Sequence, residues 1–196
     1  MKSVLIATKN KGKIKEFERF FSKFGYQVQS LLDYDKTMEI EETGTTFEEN
    51  ALIKARTLAK LTKQDVISDD SGLEVSILDG EPGIYSARYS GIDHDDEANN
   101  SKLMKKLENT PIEKRGAQFV CALAFVTKDL KETVVRGTCQ GVIAFRKQGN
   151  NGFGYDPLFY IPRLDKTLAQ LTPSEKEAIS HRGDALKQLE KVLFGD

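Results

Sequence analysis

The feature that most constrains the fold is a series of short apolar segments, separated by segments whose apolar residues recur at helical spacing. The apolar segments include residues 3–8, 117–127 and 141–146. Apolar runs of this length, bounded by polar residues, are typical of buried strands. Strands at both ends of this pattern, with helices between them, predict an α/β or α+β protein built on a mixed sheet.

The helical segments have recognisable start and stop signals. Thr46 is followed by Glu49 at the spacing of a capping box, and Thr172 is followed by Pro173 and Glu175. We therefore predict helices over 14–24 before Gly25, from Thr46 through Ala59, over 93–107, and from Thr172 through Leu193 as one continuous helix. Further short strands are predicted at 65–68, 132–137 and 141–146.

Composition limits the function classes. The 196-residue chain has 29 basic and 30 acidic side chains and a net charge of −1, so it lacks the basic excess of a protein that tracks a nucleic-acid backbone. No apolar stretch approaches the ~20 residues of a membrane helix, and because residues 1–2 lead directly into the first predicted strand, we expect no signal peptide. We expect a single domain over 1–196 with a cytoplasmic location and no membrane or nucleic-acid polymer as partner.

Cys121 and Cys139 are not spaced as metal ligands are, and we expect them to be buried, reduced thiols.

The first group of candidate functional residues follows the first predicted strand. A helix N-terminus presents free N–H groups and the positive end of its dipole, which together bind anions. Lys13 adds a charge one turn into the helix. The alternative is a capped helix with solvated lysines, and the Walker A frame is missing. The candidate phosphate-binding residues are Thr8, Lys9, Asn10, Lys11, Gly12 and Lys13.

The second group is acidic. Asp69 and Asp70 follow the strand over 65–68, where two adjacent carboxylates repel each other unless a cation or hydrogen-bond donors offset them. Hard oxygen ligands of this kind suit Mg²⁺. The alternative is a turn, because residues 69–72 have good turn chemistry. Glu39, Glu41 and Glu42 form a second acidic run, for which a plain solvated loop is the stronger alternative.

Two further groups carry aromatic and cationic side chains. Residues 152–157 place Phe153 between glycines, which suggests either stacking against a base or a turn that buries Phe153 and Tyr155. Lys176 and Ser180 are expected to share a helix face, because they are four residues apart. His181 and Arg182 could donate to a phosphate or a base carbonyl, or could be a solvated surface pair.

Several motifs together resemble the XTP/dITP diphosphatase family, also known as inosine triphosphate pyrophosphatases. The resemblance covers nearly the whole chain in the family's order, with no departure at a motif position. The motifs are Thr8-x-Asn10-x-x-Lys13, Glu42-Thr-Gly44-x-x-Phe47-x-Glu49-Asn50, Asp69-Asp70-Ser71-Gly72-Leu73, Pro82-Gly83-Ile-Tyr85-Ser86-Ala87-Arg88, Gly152-Phe-Gly-Tyr-Asp-Pro157 and Ser180-His-Arg182.

The resemblance implies an elongated mixed α/β fold of two lobes with a central active-site cleft, a homodimer, and Mg²⁺-dependent hydrolysis of deaminated purine nucleoside triphosphates to the monophosphate and pyrophosphate. It implies that residues 8–13 hold the phosphates, that Glu42 and Asp70 take the metal with Asp69 nearby, and that Asp70 is also the base for the attacking water. It assigns substrate binding to Ser71, Phe153, Gly154, Tyr155, Asp156, Lys176, His181 and Arg182.

Two rival functions are a pyrophosphatase of pyrimidine or other modified nucleotides and a non-catalytic nucleotide-binding module. The base-side motifs at 153–156 and 180–182 favour the purine class. A binding module has no need for Glu42, Asp69 and Asp70 together.

Overall fold

A mixed seven-stranded sheet forms the framework of the protein, within the residues 2–35 and 37–195 that the computed structural model describes. The strand order is β2-β1-β3-β4-β5-β6-β7. β1 pairs in parallel with β2 and with β3, whereas β6 pairs antiparallel with β5 and β7. The strands are β1 (Lys2–Ile6), β2 (Tyr26–Ser30), β3 (Asp65–Val75), β4 (Gly116–Val126), β5 (Glu132–Ile143), β6 (Phe159–Ile161) and β7 (Lys166–Thr167). The predicted α/β class is confirmed.

The helices vary in length from a single turn to four turns. No helix in the described part of the chain is both long and apolar enough to cross a membrane. The α-helices are α1 (Lys11–Ser22), α2 (Leu31–Tyr34), α3 (Phe47–Thr62), α4 (Asp96–Lys106), α5 (Pro173–Ile179) and α6 (His181–Phe194), and 3₁₀ turns cover Ser76–Leu78, Gly83–Arg88, Ile112–Lys114, Pro162–Leu164 and Leu168–Gln170.

The chain divides into two compact units. The first contains residues 1–70, 122–136 and 185–196, and the second contains residues 71–121 and 137–184. In the first unit, α1 buries Phe17 and Phe21 and α3 buries Ala55 and Leu58, as amphipathic helices do when they cover a sheet. In the second unit, one apolar cluster forms the core; it includes Leu73, Leu103, Phe119, Tyr155, Phe159 and Leu168.

The capping box predicted at Thr46 is half right. The Thr46 hydroxyl accepts a bond from the Glu49 N–H at 3.1 Å, which is the expected N-cap contact of α3. The Glu49 carboxylate instead accepts from the Thr45 N–H at 2.7 Å and from the Thr45 hydroxyl.

Both cysteines are buried and free, which confirms the expectation for Cys121 and Cys139.

The predicted end of the strand at residue 68 is wrong, and so is the alternative of a turn at 69–72. β3 does not end there but continues to Val75, so Asp69 and Asp70 lie in the middle of a buried strand. Asp69 and Asp70 are tolerated inside this strand because Lys13 pairs with Asp69 and Asn50 donates to Asp70. The strands predicted at 132–137 and 141–146 are likewise one strand, β5, which ends at Ile143.

The single final helix predicted from Thr172 to Leu193 is also wrong. The start at Thr172 and Pro173 is confirmed, but the helix breaks at Ser180, whose backbone is extended with φ −72° and ψ 155°. The Ser180 hydroxyl accepts from the Gly183 N–H at 3.0 Å and so competes with helix continuation. A Cβ at Gly183 would lie 2.1 Å from the Glu177 carbonyl oxygen, so this close approach requires glycine. Ser180 therefore does not share a helix face with Lys176, contrary to the prediction, because it caps α5 in an extended conformation.

Candidate functional site

A cluster of buried charges surrounds the middle of β3 in the first unit. Asp69 and Asp70 are only 2% and 9% exposed. The Lys13 Nζ lies 2.7 Å from Asp69 Oδ2, and the Lys54 Nζ lies 2.7 Å both from Glu42 Oε1 and from the Asp69 carbonyl oxygen. We call Lys13, Glu42, Lys54, Asp69 and Asp70 the acidic cluster. Three carboxylates and two ammonium groups leave it with an excess of negative charge.

Lys54 is the member of the cluster that the sequence reasoning missed. It lies on α3, and its side chain is 14% exposed. Desolvation lowers its pKa, but the neighbouring charges of Asp70, Asp69 and Glu42 outweigh that effect and raise the pKa above its ordinary value. The available signal was the placement of a lysine next to the apolar face of α3, four residues after Asn50.

Asn50 fixes the geometry of two parts of the cluster. Its side chain is 1% exposed; Nδ2 donates to Asp70 Oδ2 at 3.1 Å, and Oδ1 accepts from the Gly44 N–H at 2.8 Å. A Cβ at Gly44 would lie 2.6 Å from the Glu49 Cβ, so only glycine permits the loop after Glu42 to approach α3 this closely. The amide therefore orients the Asp70 carboxylate and anchors the loop that carries Glu42.

The Asp70 carboxylate is the most perturbed acid of the cluster. Its pKa is raised to about 6. Burial is the largest cause and the charges of Glu42 and Asp69 act in the same direction, whereas the Lys54 charge and the Asn50 hydrogen bond lower the pKa. Two lysines thus do not fully offset the buried negative charge. Glu39 and Glu41 are exposed, and Glu42 is the member of that run that bonds to Lys54.

Residues 8–13 form a capped helix start. Asn10 is the N-cap of α1, and its Oδ1 accepts from the Gly12 and Lys13 N–H groups at 2.9 and 3.1 Å. The Thr8 hydroxyl accepts from the Asn10 N–H at 3.2 Å. Two of the helix N–H groups expected to hold phosphate are therefore already bonded to Asn10. The alternative of solvated lysines is wrong for Lys13, which pairs with buried Asp69, whereas Lys9 is partly exposed and Lys11 is exposed.

The acidic cluster has the donor chemistry of a magnesium site. Among the described residues, no group of three or more His, Cys, Asp or Glu side chains is arranged to hold a metal ion. Mg²⁺ is, however, commonly bound by one or two carboxylates together with water and substrate phosphates. Glu42 and Asp70 supply hard oxygen ligands, and the raised pKa of Asp70 shows that a further positive charge would be stabilising there. The residues present therefore fit the ion.

The second candidate site lies in the second unit and is built around the loop 152–157, which we call the aromatic loop. Phe153 is 46% exposed, whereas Tyr155 is 4% exposed and donates its hydroxyl to the Ser86 carbonyl at 2.9 Å. The alternative in which the loop buries both rings is therefore right for Tyr155 and wrong for Phe153. A Cβ at Gly152, with φ +80°, would lie 2.0 Å from Asp156 Oδ2, so the loop requires glycine there.

Asp156 and Lys176 support the exposed Phe153 ring. Asp156 is 2% exposed, accepts from the Phe153 N–H at 3.0 Å, and forms an ion pair with Lys176. The Lys176 Nζ lies 4.8 Å from the centre of the Phe153 ring, within the range of a cation–π contact. Gly154 donates its N–H to Asp96 Oδ2 at 2.6 Å. Among the predicted substrate-binding residues, Asp156 therefore also holds the loop in shape.

His181 and Arg182 begin α6 and are buried. They are 7% and 3% exposed, so the alternative of a solvated surface pair is wrong. The His181 ring stacks on Phe119 with centroids 4.9 Å apart and an angle of 15° between the planes. Arg182 Nη2 donates to Ser71 Oγ at 3.2 Å. The structure thus brings Ser71 and Arg182 together as hydrogen-bonding groups.

The chain is thus an α/β protein with a buried carboxylate–lysine cluster in its first unit and an exposed aromatic ring beside a lysine in its second. Residues 4–192 match the model of the Ham1 family. The chain belongs to the Ham1 family.

Individual relatives are similar over nearly their whole length. The chain is 55% identical over 190 residues to a protein of Exiguobacterium sibiricum named dITP/XTP pyrophosphatase, covering 97% of this chain and 96% of the relative. The solved structure of the Staphylococcus aureus Ham1 protein is 49% identical, with a TM-score of 0.91 and coverage of 99% of each chain. A HAM1 protein from Coxiella burnetii is 38% identical, with a TM-score of 0.92 and full coverage of both chains.

Proposed function

We propose that this chain hydrolyses deaminated purine nucleoside triphosphates, namely dITP, ITP and XTP, to the nucleoside monophosphate and pyrophosphate. The observation that carries the proposal is Asp70, a buried carboxylate that Asn50 orients and whose pKa is raised to about 6 beside Glu42 and Lys54. A nucleotide-binding module without catalysis has no use for such a group. The name dITP/XTP pyrophosphatase, carried by relatives at 50–55% identity, supports the same reaction.

Glu42 and Asp70 would hold a Mg²⁺ ion. When bound, the ion supplies charge neutralisation and polarisation of the substrate phosphates. Asp69 is the weaker candidate ligand, because its Oδ2 already pairs with Lys13 and its carbonyl accepts from Lys54. Asp69 then contributes mainly by holding the two lysines in position.

Asp70 would accept the proton of the attacking water. A carboxylate with a pKa of about 6 is mostly ionised at pH 7 yet is more basic than an ordinary Asp, which is the balance a general base requires. The Asn50 Nδ2 bond to Oδ2 restricts the carboxylate to one orientation. Attack at the α-phosphorus transfers a hydroxyl to the monophosphate and releases pyrophosphate as the leaving group.

Lys13, with the rest of residues 8–13, would neutralise the phosphates. The Lys13 ammonium is held at 2.7 Å from Asp69 and is 18% exposed, so it is oriented before any substrate binds. Negative charge grows on the leaving pyrophosphate in the transition state, and a fixed cation stabilises that charge without reorganisation. The Asn10 cap keeps the start of α1 in place, so its contribution is indirect.

The aromatic loop and the start of α6 would recognise the base. Phe153 offers an exposed ring for stacking, and Lys176 lies against that ring. Hypoxanthine and xanthine carry an acceptor oxygen where adenine has an amine. Donors at His181 and Arg182 favour that oxygen, and adenine would leave them mismatched. Ser71 lies within hydrogen-bonding distance of Arg182 and would contact the nucleotide beside it.

Turnover of a nucleotide panel tests the proposal. ITP, dITP, XTP, GTP, ATP and pyrimidine triphosphates are incubated with the purified protein, and pyrophosphate and orthophosphate are measured separately. We expect pyrophosphate from the first three substrates, little turnover of ATP, and loss of all activity in EDTA with recovery in Mg²⁺. Stepwise orthophosphate release, or a preference for pyrimidine or other modified nucleotides, would overturn the assignment.

We also propose that residues 1–196 act as one functional domain, that the chain is a cytoplasmic homodimer, and that nucleic-acid polymers are not its substrates. The balanced charge of the chain supports the last point. Light scattering during size-exclusion chromatography should give twice the chain mass of 22.0 kDa. A monomer mass at micromolar concentration would contradict the dimer.

A further inference from the structure

The segment Pro82–Arg88 stands out in the sequence but has no part in the reaction proposed above. It forms a 3₁₀ turn at Gly83–Arg88, and Ser86 is its buried residue. The Ser86 hydroxyl accepts from the Leu73 N–H at 2.9 Å and donates to the Gly83 carbonyl at 2.6 Å. The Ser86 carbonyl accepts the Tyr155 hydroxyl at 2.9 Å. This segment is therefore bonded both to β3 and to the aromatic loop.

Two adjacent buried asparagines connect the same segment and loop to α4. Asn99 donates to the Ala87 carbonyl at 3.1 Å and accepts from the Ser90 N–H at 2.7 Å. Asn100 donates to the Gly154 carbonyl at 2.9 Å. Asn99 thus anchors the segment that contains Ser86, and Asn100 anchors the aromatic loop directly.

Gly154 is held at both its backbone groups. Its N–H donates to Asp96 Oδ2 at 2.6 Å, and its carbonyl accepts from Asn100 Nδ2. Its φ is +62°, a left-handed conformation that glycine adopts without strain. Since Gly154 follows Phe153 directly, these bonds fix the backbone from which the exposed ring projects.

The Asn100 side chain is not arranged for stability alone. Nδ2 donates to both the Gly154 and Asp96 carbonyls, but among the described residues Oδ1 is buried without a hydrogen-bond partner. A buried acceptor without a partner costs free energy, so an apolar side chain of the same size would avoid that cost. Such a replacement would, however, lose the hydrogen bond from Asn100 to the Gly154 carbonyl, which holds the aromatic loop.

We propose that Asp96, Asn100 and Tyr155 are positioning residues that hold Phe153 in the orientation required for base stacking, with Pro82–Arg88 and α4 as their rigid support. The proposal rests on the base-binding role of Phe153 given under the proposed function. These residues act through the aromatic loop; Tyr155, to which the resemblance assigned substrate binding, is only 4% exposed and bonds to Ser86, so it is given a positioning role instead. Their loss should weaken nucleotide binding without altering the chemical step.

Kinetics of two variants test the positioning role. Tyr155→Phe removes only the hydroxyl bonded to Ser86, and Asn100→Leu removes both amide bonds while keeping the branch at Cγ. We expect KM for dITP and XTP to rise about fivefold for Tyr155→Phe, which corresponds to about 1 kcal/mol for one hydrogen bond, and further for Asn100→Leu, with kcat within twofold of wild type. Tyr160→Phe is the matched control, because Tyr160 donates its hydroxyl to Asp165 away from the loop, and it should leave KM unchanged.

A fluorescent reporter gives a second readout that does not depend on activity. The chain contains no tryptophan, so Phe153→Trp introduces a single emitter at the loop. In that background, Tyr155→Phe and Asn100→Leu should lower the anisotropy of the emission and increase its quenching by acrylamide, whereas Tyr160→Phe should change neither. If Asn100→Leu does not fold, Tyr155→Phe decides the question.

The outcomes separate this inference from the proposed function. If wild type releases pyrophosphate from dITP but Tyr155→Phe retains wild-type KM and loop anisotropy, the positioning role is overturned and the function stands. A fall in kcat at unchanged KM would also overturn it. If wild type does not act on dITP or XTP while the reporter loosens as expected, the loop support stands and its connection to base binding is overturned.

Discussion

The acidic cluster and the aromatic loop are stabilised in different ways. In the acidic cluster, charged side chains on regular elements neutralise one another, and Asp69 is buried against Lys13 at 2.7 Å. In the aromatic loop, hydrogen bonds hold the backbone, and the side chain of interest, Phe153, is left 46% exposed. Burial of charge therefore shifts the pKa of a carboxylate in the first unit, whereas hydrogen bonds to the loop backbone hold an aromatic ring exposed in the second.

The largest effect should come from Asp70→Asn, which separates chemistry from binding. The substitution keeps the size of the side chain and removes its basic lone pair. Loss of a general base typically costs on the order of 10²–10⁴ in rate, and loss of a metal ligand adds to that. We expect a folded protein that binds nucleotide and barely turns it over, measured by single-turnover kinetics and by calorimetric titration. A near-normal kcat would move the base role to Asp69 or Glu42.

Lys54→Met should reveal the cost of leaving the buried carboxylates without their central cation. Removing one partner of a buried ion pair typically destabilises a protein by about 3–5 kcal/mol. Urea unfolding should therefore show a loss of about 3 kcal/mol for Lys54→Met. Lys60→Met, on the exposed side of the same helix, is the control and should change stability by less than about 0.5 kcal/mol. Equal effects of the two substitutions would show that Lys54 does not stabilise the cluster.

The free energy of unfolding should depend on pH, because the buried Asp70 carboxylate has a different pKa in the folded and unfolded protein. The Asp70 pKa is raised to about 6 in the folded protein, against about 3.9 in an unfolded chain, so folding takes up a proton between these values. Stability of the metal-free protein therefore falls as pH rises from about 4 to about 6. Asp70→Asn should remove this dependence and be about 2–3 kcal/mol more stable than wild type above pH 6, with no advantage below pH 4. Urea unfolding in EDTA at pH 4 and at pH 7 measures the free energy of unfolding of both proteins. If Asp70→Asn exceeded wild type in stability by the same amount at both pH values, the raised pKa would be contradicted.

The smallest change in the free energy of unfolding should come from a substitution in the aromatic loop. Phe153→Ala removes an exposed ring, so stability should change by less than about 0.5 kcal/mol. Loss of base stacking should weaken substrate binding by about 1–3 kcal/mol and raise KM accordingly. Phe145→Ala, which removes a similarly exposed ring of the same unit, should leave KM unchanged. A large loss of stability in Phe153→Ala would show that the ring supports the loop and does not serve recognition.

Local signals in the sequence predicted part of the fold well. The start of α3 at Thr46, the start of α5 at Pro173 and the apolar strand β4 follow from capping and hydrophobic patterns, which act within a few residues. The break at Ser180 escaped prediction because it depends on a side chain bonding to its own backbone and on close contact at Gly183. The continuation of β3 through Asp69 and Asp70 depends on partners distant in the chain.

The candidate site was predictable as a set of residues but not as a set of contacts. Motif resemblance nominated Glu42, Asp70 and Phe153; the structure shows Glu42 bonded to Lys54, Asp70 bonded to Asn50 and the Phe153 ring exposed, while their roles stay predictions. Lys54 was missed because its neighbours in the sequence do not show that it is buried. Its partners, Glu42 and Asp69, lie 12 and 15 residues away along the chain. The roles of Asn100 and Tyr155 in bracing the aromatic loop required the fold, since their partners lie 54 and 69 residues away along the chain.

The position of water attack tests the central claim, that the acidic cluster directs hydrolysis at the α-phosphorus. Wild-type protein turns over dITP in ¹⁸O-enriched water, and the two products are separated and analysed by mass spectrometry. Attack at the α-phosphorus should place ¹⁸O in the nucleoside monophosphate and leave pyrophosphate unlabelled. Label in pyrophosphate would show attack at the β-phosphorus and would contradict the role assigned to Asp70 and its neighbours.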